Sequence, residues 1–182
     1  MKLFFATSNR NKVLEANEVG KDFEVFFEML KLDYPEVRSD DVAEVAGTGV
    51  EYVHKKVGGA VIVEDSGIFI DALNGFPGAY SAMAFKKIGL EGILKLMAGV
   101  EERGCRFKSA VGYADENGIR IFEGEVEGVI SMEVRGSAGF GYDPIFVPEG
   151  YDKTFGEIPD VKKKLSHRRV SVEKLCRAVG EV

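Results

Sequence analysis

The sequence predicts an α/β fold built on a mixed, twisted central sheet with flanking helices. Three observations lead there. The apolar runs at residues 3–6 and 61–63 each stop abruptly at polar residues, as strands buried on both faces of an α/β sheet do. Apolar residues at helical spacing follow them. Two long strand patterns, 107–114 and 119–130, flank Asp115-Glu116-Asn117-Gly118, and Asn-Gly is a strong hairpin signal. That hairpin makes the sheet mixed and not uniformly parallel.

Residues 3–6 form the first strand, and Thr7-Ser8-Asn9-Arg10-Asn11-Lys12 follow at once. A helix then starts near Val13 and stops at Gly20, a good residue just past a helix end. Strand, polar loop, helix turns backbone N–H groups toward an anion. An ordinary capped helix start would use the same Thr, Ser and Asn. Lys12 adds a full positive charge and tips the reading toward phosphate, although the glycines of a Walker loop are missing.

Residues 23–29 read as a second strand, and 32–36 as a loop, since Pro35 excludes helix from the residue before it. Asp40 or Asp41 caps a helix running to about Lys56, which Gly47 and Gly49 weaken in mid-course. His54 sits in its last turn, where a cation suits the helix dipole. The run at 61–63 ends at Glu64-Asp65-Ser66-Gly67, with a short returning strand at 67–70. Acids at the carboxyl end of such a strand face a crevice, and neighbours along a strand point to opposite sides, so one of the two looks into it. A glycine- and proline-marked loop at 73–81 leads to a helix that Gly89 interrupts; Leu90, Ile93, Leu94 and Met97 form a core stripe beyond it.

After the hairpin, Gly136-Ser137-Ala138-Gly139-Phe140-Gly141-Tyr142-Asp143-Pro144 lets backbone approach a flat ligand, with Phe140 or Tyr142 free to stack on it. A short strand at 145–147 ends at Pro148. Residues 159–169 carry the densest positive charge of the chain, usually the mark of a solvated face. Ser166 caps the last helix, placing His167 and Arg168 in its first turn, where cations are unfavourable unless an anion or polar base docks there.

The chain has 182 residues and a net charge of −6, which argues against bulk-charge binding to nucleic acid or membrane. The apolar run at its start is far too short for a signal peptide or a membrane span, so a cytoplasmic protein is expected. Cys105 and Cys176 stand far apart in apolar settings and read as core thiols of a reducing compartment. Residues 1–182 read as a single unit without a linker.

Together these residues offer Lys12 and a second cationic cluster at Lys162, His167 and Arg168, with carboxylates at Glu36, Glu64, Asp65 and Asp143. Cations and acids in one cleft suit a triphosphate bound with Mg²⁺. With no Cys nucleophile in a polar setting, metal-activated water is the expected attacking group. The residues alone support a nucleotide phosphohydrolase; a nucleotide-binding sensor that does no chemistry fits them too.

Thr7-Ser8-Asn9 with Lys12, Glu64-Asp65-Ser66-Gly67, Phe76-Pro77-Gly78-Ala79-Tyr80-Ser81, Phe140-Gly141-Tyr142-Asp143-Pro144 and Ser166-His167-Arg168 resemble, in order and approximate spacing, the motifs of the inosine triphosphate pyrophosphatase family. The resemblance implies an elongated two-lobed fold with a central cleft, a homodimer, and Mg²⁺-assisted hydrolysis of ITP, dITP and XTP to the monophosphate and pyrophosphate. It further implies that Thr7, Ser8, Asn9, Arg10, Asn11 and Lys12 bind the triphosphate, and that Asp65 is the general base and, with Glu36, a metal ligand. By the same resemblance Ser66 contacts substrate, Phe140, Gly141, Tyr142 and Asp143 hold the base, and Lys162, His167 and Arg168 meet its 6-oxo group. Two positions depart from the family pattern: Lys163 stands where many relatives carry Asn, and Thr48 where many carry a lysine. The septum-inhibitor (Maf) pyrophosphatases, which act on other nucleotides, are the related alternative.

Overall fold

The computed structural model describes residues 1–180. In chain order the elements are β1 (Lys2–Ala6), α1 (Arg10–Gly20), β2 (Phe26–Leu30), α2 (Val42–Val57), β3 (Val61–Ile70), β4 (Pro77–Gly78), α3 (Ser81–Leu96), β5 (Gly104–Asp115), β6 (Gly118–Ile130), β7 (Phe146–Pro148), α4 (Pro159–Leu165) and α5 (His167–Gly180). The strands form one sheet in the order β2-β1-β3-β5-β6-β7, with β4 added on β3. β1 runs parallel to β2 and β3, while β3, β5, β6 and β7 pair antiparallel, so the sheet is mixed as expected.

One expectation is corrected at the centre of the sheet. β3 does not stop at Glu64 and Asp65. It continues to Ile70 because β5 pairs with all of it, from Val61↔Ala114 to Ile70↔Cys105, and the expected returning strand is its second half. The crevice comes from the other neighbour: β1 pairs with β3 only through Phe4↔Val61 and Phe5↔Ile62 and ends at Ala6. Beyond that point the β1 side of β3 faces the loop that leads into α1.

Alternation along β3 divides its side chains between two faces. Ile62 packs with Leu3, Phe5, Ala16, Val19, Val172 and Leu175, the cluster beneath α1 and α5. Val61 and Val63 pack with Val50 and Val53 of α2 on the opposite face. On the α5 side a second large cluster gathers Ile68, Ile70, Cys105, Phe107, Ile130 and Phe146. Between these two apolar bodies the same rows of β3 and β5 carry Glu64, Ser66 and Ser109. The site thus occupies a polar gap between two cores.

The elements follow their local chemistry, with four differences from the sequence reading. Asp41 caps α2 by accepting from Ala43 N at 2.8 Å, and α2 then runs unbroken through Gly47 and Gly49. Gly49 is there for close packing: a Cβ would stand 3.0 Å from the Tyr34 ring and 3.1 Å from Val63. Gly89, at φ 61 and ψ −167, kinks α3 where an interruption was expected. The second strand starts later than expected, because one 3₁₀ turn at Lys21–Phe23 extends α1. The basic run at 159–165 is not a solvated face throughout: it forms α4, opened by Pro159 at its first position, with Lys162 buried. β7 includes Pro148, tolerated because β7 is an edge strand.

Candidate functional site

Glu64 is the hub of the site. Its side chain is buried, and its Oε2 lies 2.8 Å from Lys12 Nζ, which also donates to the Glu64 carbonyl at 2.9 Å. Its Oε1 accepts from Ser109 Oγ at 2.8 Å and from Arg168 Nε at 3.2 Å. Arg168 Nη2 donates to Ser66 Oγ at 2.9 Å, and Nη1 pairs with Glu15. Glu15 also holds Lys162 at 2.6 Å, and Lys162 reaches Asp143 Oδ2 at 2.7 Å. Asp143 Oδ2 accepts from Phe140 N at 2.7 Å, fixing the aromatic loop, and the Phe140 ring lies 4.5 Å from Lys162 Nζ and 5.5 Å from Arg168 Cζ. Lys12, Arg168 and Lys162 are therefore joined in one chain of contacts through Glu64 and Glu15, although they come from opposite ends of the sequence.

Burial works to raise the Glu64 pKa, but Arg168 and Lys12 outweigh it and hold the carboxyl well below the usual range. Asp65, next in sequence and on the other face of β3, behaves oppositely. Burial pushes it up to about 7; Lys12 opposes that rise, while Glu64 and Glu36 add to it. Its Oδ2 is buried with no hydrogen-bond partner among the described residues. Glu36 is exposed in the loop before α2, near enough for its charge to act on Asp65 and on the Tyr34 phenol, whose pKa burial and these acids raise. No group of three or more His, Cys, Asp or Glu suited to a metal occurs among the described residues. An orphaned buried carboxylate oxygen within range of a second acid's charge nonetheless fits a hard divalent cation, since Mg²⁺ takes one or two protein carboxylates and completes its shell with water and phosphate.

The loop after β1 is ordered by its own polar side chains at the start of α1. Asn9 caps α1 by accepting from Asn11 N at 3.0 Å, and Thr7 Oγ1 accepts from Asn9 N at 3.1 Å. Ser8, Arg10 and Asn11 are exposed around the helix start, and Lys12 on the first turn points back to Glu64. Such a terminus concentrates unsatisfied N–H groups and positive dipole.

Some expected roles do not match the placements. Tyr142 is not free to stack on a ligand: it is buried, its hydroxyl donates to Ser81 O at 2.8 Å, and Phe85 meets its ring edge-on at 5.4 Å. His167 is no cation. Burial and the Arg168 charge hold its pKa well below the ordinary value, its ring stacks on Phe107 at 4.6 Å, and its Nδ1 has no partner among the described residues. Asp143 is 2% exposed and committed to Lys162 and the Phe140 amide. Gly141, at φ 62, provides the left-handed turn between Phe140 and Tyr142. Sequence reasoning missed Glu15 and Ser109. Glu15 lies three residues after Lys12, hence on the same helix face. Ser109 is the one polar member of the inward row Phe107, Ser109, Val111, Tyr113, a break in alternation that could have been noticed.

The profile of the Ham1 family matches residues 3–178. A dITP/XTP pyrophosphatase of Methanopyrus kandleri is 50% identical over 178 residues, 97% of this chain and 95% of that protein. A dITP/XTP pyrophosphatase of Thermococcus kodakarensis is 47% identical over 169 residues, 92% of this chain and 91% of that protein. The structure of a HAM1 protein from Coxiella burnetii superposes with a TM-score of 0.86 at 28% identity, covering 100% of both chains.

Proposed function

The chain belongs to the Ham1 family, and from that premise we propose that it hydrolyses deaminated purine nucleoside triphosphates (ITP, dITP and XTP) to the monophosphate and pyrophosphate. One observation carries the reading: cations from the two ends of the sequence meet at Glu64, beside the Asp65 carboxyl pushed up to about 7. A group poised near neutrality is suited to take a proton from water.

In this reading the triphosphate lies on the N-terminus of α1, where Thr7, Ser8, Asn9, Arg10, Asn11 and Lys12 surround it and Lys12 stabilises charge on the leaving pyrophosphate. Asp65 accepts the proton of the water that attacks the α-phosphorus in line. Mg²⁺, held by Asp65 and Glu36, would polarise phosphate oxygens and lower the pKa of bound water. The base sits by Phe140 and Gly141, near Ser66, with Arg168 and Lys162 supplying donors. A 6-oxo purine offers an acceptor to them; adenine offers an amino group and leaves donor against donor. Asp143 contributes by holding Lys162 and Phe140, and His167 by packing Arg168 into place.

We read residues 1–182 as one two-lobed catalytic unit, the two apolar clusters on the α5 side being the lobes. A homodimer is supported by the exposed apolar residues Met83, Phe85 and Ile88 on α3. Both cysteines are buried and free, which supports a cytoplasmic location; no helix among the described residues is long and apolar enough to cross a membrane. Net charge −6 fits a small nucleotide and not a nucleic acid as partner.

The test is pyrophosphate release from ITP, XTP, ATP, dTTP and UTP, with and without Mg²⁺. Release from ITP and XTP that requires Mg²⁺, with little from the others, supports the reading. Preference for dTTP or UTP points to the Maf-type activity, and binding without release to a sensor; either result defeats it.

A further inference from the structure

Two interior hydroxyls beside the site take no part in the chemistry above. Ser109 on β5 and Ser171 on α5 are both at 0% exposure. Ser109 Oγ lies 2.8 Å from Glu64 Oε1 and 2.9 Å from Ser171 Oγ, and Ser171 Oγ lies 3.1 Å from Arg168 O. Three contacts share two hydroxyl protons. Glu64, gripped by Lys12 and Arg168, is an acceptor only, so the Ser109 proton goes to Glu64. Ser109 then accepts from Ser171, whose proton Arg168 O shares. The relay has one direction, from α5 through β5 to β3.

We propose that Ser109 and Ser171 are positioning residues for base recognition, fixing the Glu64 carboxylate against the first turn of α5 so that the Arg168 guanidinium is presented to the nucleotide at one angle. The inference rests on the function proposed above. Glu64 Oε1 is shared by Ser109 and Arg168 Nε, so a carboxylate free to rotate would take the guanidinium with it. The far side of that guanidinium reaches Ser66 at 2.9 Å, so a turn there is felt at the cleft. Ser109 shares a sheet face with Glu64, whereas Asp65 lies on the other. The relay therefore governs binding and not the attack of water. Sequence gave no motif for it, because the two serines are 62 residues apart and meet only when α5 lies on β5.

The experiment measures KM and kcat for ITP and XTP in the full chain, in Ser109→Ala and Ser171→Ala, and in Val172→Ala, a buried apolar neighbour on α5 that serves as the stability control. Ser109→Ala is expected to raise KM about tenfold, the size of one charge-assisted hydrogen bond, with kcat changed by no more than about threefold. Ser171→Ala is expected to move KM the same way by less. Val172→Ala is expected to lower the thermal midpoint at least as much while leaving KM unchanged. A wild-type KM in Ser109→Ala, or an equal rise in Val172→Ala, overturns the relay. Solvent exchange of the Arg168 Nε–H, followed by NMR, needs no turnover and keeps the two readings apart. Faster exchange in Ser109→Ala than in Val172→Ala supports the relay even if the unmodified protein hydrolyses nothing, and equal exchange overturns it.

Discussion

Glu64 and Asp65 are adjacent carboxylates given opposite tasks by the alternation of a strand. Glu64 meets two cations and stays ionised; Asp65 meets none directly and holds its proton up to about 7. The sign of the stability effect follows. The unfolded chain releases this proton near 3.8 and the folded chain near 7, so this group's stabilising contribution is present at low pH and is lost as pH rises through that interval. Asp65→Asn is expected to abolish turnover, keep nucleotide binding, and raise the thermal midpoint of the metal-free protein most on the alkaline side; melting curves across pH check it. Arg168→Ala is expected to cost about 3–5 kcal/mol in denaturant unfolding, because it leaves Glu64 and Glu15 without their shared cation. A loss below about 1 kcal/mol would show the network to be surface-like.

At the scale of elements, the first turn of α5 is pressed against β6 at Gly124. A Cβ there would overlap His167 O and approach Ser171 N and Val170. Gly124→Ala is therefore expected to destabilise by about 1–3 kcal/mol, the usual cost of overpacking, and to weaken the preference for ITP over ATP. Thermal melting together with the two kcat/KM values checks this; an unchanged preference would mean that α5 can shift without moving Arg168. Elements with strong local signals were readable from the chain: β1, the Asn117-Gly118 hairpin, the Asp41 cap and the Gly89 break. The continuation of β3 past its acids was not, because polar residues inside a strand read as its end until β5 supplies a partner for each of them. The helix at 159–165 hid behind its charge, since nothing local says that Lys162 meets Glu15, which lies 147 residues away in sequence.

For the whole molecule, a mixed sheet sets two apolar clusters end to end and leaves one polar gap between them. The motifs marked that gap in outline, because each carries polar residues where a strand or loop turns toward the cleft. They did not assign the members: Tyr142 turns inward to donate its hydroxyl to Ser81 O, and His167 to stack on Phe107. In the proposed reaction Asp65 directs water to the α-phosphorus while the α1 loop and Lys12 hold the departing pyrophosphate. The most direct measurement is turnover of ITP with Mg²⁺ in water labelled with heavy oxygen, followed by mass analysis of both products. The label is expected in the nucleoside monophosphate and absent from pyrophosphate. Label in pyrophosphate, or stepwise release of single labelled phosphates, would mean that water attacks a different phosphorus.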